Sequence, residues 1–132
     1  MMSLEGTPGL DELTYKDKFL GDENVKQLCD KLKFNERKKL VLRGNYIGVA
    51  GAKAIADLLS EQNSLLYLSL EWNIIGSTGA EYFAQALKSN SSLAYLDLRN
   101  NSINSEAAIS LAESILKNKS LKTLDLRWNQ VS

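Results

Sequence analysis

LLYLSLEWN (65–73) recurs as LAYLDLRNN (93–101) and again as LKTLDLRWN (121–129), and RKKLVLRGN (37–45) precedes them in the same frame. Aligned on L-x-L-x-x-N, the four stretches place Leu40-Leu42-Asn45, Leu68-Leu70-Asn73, Leu96-Leu98-Asn101 and Leu124-Leu126-Asn129 at steps of 28 residues. Further columns keep that step: Ile47, Ile75, Ile103 and Val131; Ala52, Ala80 and Ala108; Leu59, Leu87 and Ile115. Self-similarity at one period over so many columns marks a repeat architecture, in which each unit buries its apolar face only against its neighbours.

Each unit has two halves. Tyr67-Leu68-Ser69-Leu70 alternates polar and apolar residues, the mark of a strand with one buried face. Ala52, Ile55, Ala56 and Leu59 follow at helical spacing, after a turn containing Gly48 and Gly51 (Gly76 and Gly79 one repeat later). A strand and a helix per period predict an α/β right-handed solenoid shaped as a horseshoe arc. Its parallel sheet would line the concave face and its helices the convex face. A weaker unit precedes the others at an offset of 27 residues, with Leu10, Leu13, Tyr15 and Leu20, then Val25, Leu28, Cys29 and Leu32, and Lys18 where asparagine is expected. The organisation read from this is a flexible lead at 1–9 and a repeat domain at 10–132. Within it lie an N-terminal capping repeat at 10–36, full repeats at 37–64, 65–92 and 93–120, and a partial repeat at 121–132 without a C-terminal cap. An uncapped last strand predicts a piece of a longer protein, or association through that end.

Composition narrows the function classes. Sixteen basic residues balance 16 acidic ones, so no single-sign field favours nucleic acid or anionic membrane. No apolar run is long enough to span a bilayer, and MMSLEGTPGLDEL lacks a basic n-region and an apolar h-region. With the single cysteine, Cys29, these features predict an unsecreted, cytoplasmic protein. Asn90, Asn100 and Asn118 begin N-x-S sequons, which matter only in the secretory pathway. The chain has no histidine, no phosphate-binding glycine loop and no convergent metal-ligand set, so catalytic residues, metal and cofactor are each expected to be none.

The asparagine column Asn45, Asn73, Asn101 and Asn129 is expected to be a structural ladder satisfying backbone groups at the turns. Specificity is placed on the concave face, where residues of successive strands stand about 4.8 Å apart. Four columns follow from the frame: Glu12, Lys39, Tyr67, Tyr95, Thr123; Thr14, Val41, Ser69, Asp97, Asp125; Lys16, Arg43, Glu71, Arg99, Arg127; and Asp17, Gly44, Trp72, Asn100, Trp128. The partner-binding set read from them is Arg43, Tyr67, Glu71, Trp72, Tyr95, Asp97, Arg99, Asp125, Arg127 and Trp128. Tyrosine, tryptophan and arginine dominate interface hot spots. Trp72 and Trp128, two strands and roughly 10 Å apart, suit a helix or extended peptide of a protein partner. The ordinary account of the charged columns is a solvated face of neighbouring opposite charges. The run Lys31, Lys33, Arg37, Lys38 and Lys39 reads first as a solvated junction, and Cys29 as a small residue in the column of Ala56, Ala84 and Ala112, a position expected to be buried.

The L-x-x-L-x-L-x-x-N-x-(I/L/V) pattern resembles the ribonuclease-inhibitor subclass of leucine-rich repeats over about nine-tenths of the chain. LRGNYIGVAGAKAIADLL (42–59) is similar to repeats of NOD-like innate-immune receptors. The series SLEWN, LDLRNN, LDLRWN most resembles the centrosomal family typified by leucine-rich repeat-containing protein 45, whose repeats precede a long coiled coil. That resemblance implies a non-catalytic scaffold module at the centrosome, cilium or cytoskeleton. The alternatives it leaves are a ligand-sensing segment of a NOD-like receptor and, through the repeat class, a GTPase-activating protein.

Overall fold

The computed structural model describes residues 11–130; the lead at 1–9, Leu10, Val131 and Ser132 lie outside the described residues. Strands β1 (Glu12–Thr14), β2 (Lys39–Val41), β3 (Tyr67–Ser69), β4 (Tyr95–Asp97) and β5 (Thr123–Asp125) alternate with helices α1 (Gly21–Leu32), α2 (Val49–Glu61), α3 (Gly76–Leu87) and α4 (Ser105–Lys117). The strands form one parallel sheet in sequence order. Its register pairs Glu12, Lys39, Tyr67, Tyr95 and Thr123 along one row, and Leu13, Leu40, Leu68, Leu96 and Leu124 along the next. The 28-residue columns of the sequence are therefore physical columns of the sheet, and the expected solenoid is the fold.

The core lies between sheet and helices. Leu40, Leu68 and Leu96 from the strands, Leu42, Leu70 and Leu98 just after them, and Ile47, Ile75 and Ile103 before the helices are all fully buried. The helices answer with Ile55, Phe83 and Leu111 from their inward faces. At about 1.5–3 kcal/mol per buried large aliphatic or aromatic side chain, this layer, repeated in each unit, drives folding against chain entropy. Small residues let the helices close up: a Cβ on Gly79 would lie 2.5 Å from Ile75 Cγ2 and 3.1 Å from Ala52 Cβ. Apart from the Asn104 side chain, which caps α4 by accepting from the Ala107 amide at 3.0 Å, the helices start without side-chain caps. Tertiary packing rather than capping holds them.

At the last repeat the packing thins. Ala112, whose equivalents Ala56 and Ala84 are buried, is exposed, and Leu124 and Leu126 are only partly buried. No helix among the described residues is long and apolar enough to cross a membrane.

Candidate functional site

The asparagine column is structural in its geometry. The Asn73 side-chain oxygen accepts from the backbone amides of Asn45 (2.8 Å) and Ile47 (3.0 Å), and its amide donates to the carbonyls of Leu42 (3.0 Å) and Leu70 (2.9 Å). Asn45 does the same one turn earlier, accepting from Lys18 and donating to Tyr15, while Asn129 accepts from Asn101 and Ile103. Each asparagine thus ties its own turn to the preceding repeat. Lys18 stands at the equivalent position of the first unit and donates its backbone amide to Asn45.

A second ladder, at the opposite ends of the strands, escaped the sequence reading. Asn90 donates to the carbonyls of Leu59 and Gln62 and accepts from the amides of Ser92 and Leu93. Asn118 donates to Leu87 and Asn90 and accepts from Ser120 and Leu121. Two of the N-x-S sequons are therefore turn-forming asparagines committed to the backbone. Their signal was a fixed 28-residue spacing just before each strand half.

The charged concave face is largely occupied with itself. Asp17, Arg43, Glu71, Arg99, Asp125 and Arg127 form one continuous chain of ion pairs across all five strands, at 3.5, 3.3, 3.2, 3.5 and 2.7 Å in that order. Asp97 departs from its expected place on the binding surface. It is 1% exposed and lies under Arg99, whose guanidinium donates to both its oxygens, with Nη2 to Oδ2 at 2.6 Å. Ser69 and Val41, its neighbours in the column, are buried as well. The reason is crowding: the flanking columns carry Tyr67 and Tyr95 on one side and Glu71 and Arg99 on the other, and these long side chains close over the short ones between them. Hydrogen bonding from Arg127 holds the Asp125 carboxyl below its ordinary value, and bonding to Asp97 raises the Arg99 guanidinium further above its own. Tyr67 and Tyr95 stack at 4.4 Å with an interplanar angle of 2°, and Lys39, paired to Glu12, caps that stack 4.6 Å from the Tyr67 ring.

Beyond the ion pairs, a set of large exposed apolar side chains sits at the rim where strands turn toward helices. Trp72 and Trp128 are 53% and 63% exposed, and the next column adds Phe19, Tyr46 and Ile74 at 71%, 59% and 59%. Phe19, Tyr46 and Ile74 were missed because they fall between the asparagine column (Lys18 in the first unit) and the buried aliphatic after it (Leu20, Ile47 and Ile75), outside the strand alternation. Trp128 lies against Arg99 and Arg127, whose guanidinium carbons are 5.7 and 5.6 Å from its ring; Trp72 has no such partner among the described residues. Phe19 and Tyr46 stack at 5.5 Å.

Four of these five side chains stand on left-handed backbone: φ is +52° at Phe19, +54° at Tyr46, +60° at Trp72 and +61° at Trp128. The turn after each strand demands that conformation. Asp17, Gly44 and Asn100 fill the tryptophan position in the other repeats, at φ +54°, +69° and +54°. Glycine and Asn or Asp tolerate it, whereas other side chains cost about 1–2 kcal/mol there. Bulky aromatics held in a sparsely populated conformation and left exposed are a mark of ligand-contact positions. Phe19, Tyr46, Trp72 and Ile74 line a groove of about 450 Å³ with Asp17 and Arg43.

The remaining candidates have local explanations. Burial pushes the Cys29 thiol up to about 12, which makes it inert. The basic run is paired off: Lys33 with Asp30 and Glu61, Lys38 with Asp11, Lys39 with Glu12, while the Arg37 guanidinium donates to the Glu12 carbonyl. Among the described residues no group of three or more His, Cys, Asp or Glu is placed to hold a metal ion.

Comparison with known proteins supports the repeat fold. The family described as Leucine Rich repeat matches at residues 38–56, 61–84, 89–112 and 117–132, more than half of the chain. Among solved structures 53 chains match. One of them, titled Leiomodin-1 Actin-Binding Site 2, superposes with a TM-score of 0.84 at 24% identity, over 90% of this chain and 71% of its own. No curated protein sequence matches.

Proposed function

Because the chain belongs to the leucine-rich repeat family, we propose that it is a non-catalytic module that binds another protein through the concave face and its aromatic rim. The observation that carries this reading is the row of exposed Phe19, Tyr46, Trp72, Ile74 and Trp128, four of them kept on left-handed backbone that favours glycine or asparagine. Apart from Lys16, the charged residues of the face are matched among themselves and hold the rim in place. Tyr67, Tyr95, Arg99 and Arg127 extend the contact surface, and a helix or extended peptide crossing the strands would meet Trp72 and Trp128 about 10 Å apart.

A cytoskeletal setting is the preferred context. It draws on the resemblance of SLEWN, LDLRNN and LDLRWN to centrosomal repeats, and on a structural neighbour whose title names actin binding. Placement in the cytoplasm, at the centrosome or on the actin cytoskeleton belongs to the same proposal. The innate-immune alternative rests on the resemblance of residues 42–59 to NOD-like receptor repeats, and the GTPase-activating one on repeat architecture alone. Co-sedimentation of the purified chain with filamentous actin tests the cytoskeletal arm. Binding that disappears in Trp72→Ala/Trp128→Ala supports it, and an absence of binding at tens of micromolar actin removes actin as the partner while leaving the binding surface to other proteins.

A further inference from the structure

We propose, building on the protein-binding reading, that the groove at the β1–β3 end of the rim takes a linear peptide segment carrying one large apolar side chain flanked by Asp or Glu. The groove exists because a side chain is missing from a column. Trp72, Asn100 and Trp128 occupy the position after the strand in the later repeats, and Gly44 leaves it open in the second. Gly44 shares the left-handed backbone of its equivalents, at φ +69°, and the space a Cβ would take is occupied by the end of the exposed Asp17 carboxylate. The gap is walled by Trp72 on one side and by Phe19, Tyr46 and Ile74 along the next column, with Asp17, Arg43 and Asn73 as the polar part of its lining. At about 450 Å³ it holds one large side chain together with the backbone on either side.

Charge decides what flanks that side chain. The carboxylates nearby are committed: Asp17 to Arg43, Glu71 to Arg43 and Arg99, and Asp22 to the Gly48 amide at 2.7 Å. The cations are not all matched. Lys16 and Lys18, in the turn that carries Asp17 and Phe19, are exposed and have no ion-pair partner among the described residues. A segment with carboxylates beside its apolar anchor would satisfy both lysines, whereas a basic segment would meet only cations and engaged carboxylates. Phe19 and Tyr46 stack on one another at 5.5 Å, which fixes two walls of the groove before a ligand arrives.

The test uses the full chain, uniformly labelled with nitrogen-15, and synthetic peptides built on one central phenylalanine. The flanks are all glutamate, all lysine or all serine, and a fourth peptide keeps the glutamates but replaces the phenylalanine with serine. The readouts are the Trp72 indole and Gly44 amide resonances, with the Trp128 indole as an internal comparison. The expected result is saturable movement of the Trp72 and Gly44 signals with the glutamate peptide, at least tenfold weaker with the lysine peptide and absent with the serine-core peptide. Lys16→Glu/Lys18→Glu, checked for an unchanged fold by circular dichroism, should reverse the charge preference. Equal or better binding of the lysine peptide overturns the charge assignment while leaving a protein-binding groove. Movement of Trp128 alone, or of neither indole, overturns the groove itself, and the wider reading then stands or falls on the Trp72→Ala/Trp128→Ala co-sedimentation result.

Discussion

Replacing Asn73 with alanine should cost this chain about 3–4 kcal/mol, far more than the loss of one surface amide. The side chain is 5% exposed and holds two backbone amides, Asn45 and Ile47, and two carbonyls, Leu42 and Leu70, at 2.8–3.0 Å. Of the carbonyls, Leu70 keeps a second donor, the Asn101 amide at 2.8 Å. The two amides are the serious loss, because a buried unsatisfied donor costs about 1–3 kcal/mol. Adding a share for the small cavity gives the estimate above. That is a large fraction of the whole, since a domain of this size has about 6–18 kcal/mol of stability. The edge of the array supplies the control. Asn129 makes the same four bonds, to Asn101, Ile103, Leu98 and Leu126, but its turn is only partly buried and water can replace the lost partner. Asn129→Ala should therefore cost about 1–2 kcal/mol. Urea denaturation followed by far-ultraviolet circular dichroism measures both. Equal costs for the two variants, or a cost below 1 kcal/mol for Asn73→Ala, would refute the ladder argument.

Other outcomes follow from the same structure. Cys29 should be unreactive toward a disulfide reagent at pH 8 in the native protein and react at once in denaturant, because its thiol is buried and its pKa is pushed up to about 12; rapid native labelling would contradict this. Stability should stay flat from pH 5.5 to 8, as the chain has no histidine. It should then fall in acid: Asp125 titrates lower folded than unfolded, so its contribution is complete above the unfolded value near about 4 and disappears as pH drops through the folded one. Thermal melts across that range check the sign. Gly79→Ala should destabilise by about 1–3 kcal/mol, since the added methyl meets Ile75 Cγ2 at 2.5 Å and Ala52 Cβ at 3.1 Å across the α2–α3 contact; a neutral substitution would show that the helices separate more freely than their packing implies.

The solenoid was legible because a repeat states the same constraint several times. One Leu-x-Leu-x-x-Asn is ambiguous, but the 28-residue return of Leu68, Asn73, Ile75 and Ala80 identifies strand, turn, core and helix together. The concave face was legible in register but not in depth. Asp97 and Ser69 occupy the predicted row, yet whether a short side chain reaches water depends on its neighbours, here Tyr95 and Arg99, and alternation alone carries no such information. The rim was half legible. Trp72 and Trp128 stood out as large exposed aromatics, whereas Phe19 and Tyr46 were hidden by falling in a turn. The sign of φ was also hidden: the turn that glycine or asparagine would have announced is filled by tryptophan in two repeats. Asn90 and Asn118 show the converse, a modification motif that packing turns into a brace.

The central claim is that binding resides in the aromatic rim and not on the helical face. The direct measurement is partner recovery by three versions of the purified chain from the same extract: wild type, Trp72→Ala/Trp128→Ala, and the convex-face variant Lys53→Ala/Gln85→Ala. Both altered pairs are exposed, so each variant should remain folded, with circular dichroism as the check. Retention by the convex-face variant of every partner the wild type recovers, with loss of those partners from the rim variant, is the predicted result. Loss on changing Lys53 and Gln85, with recovery intact after removal of both tryptophans, would contradict it.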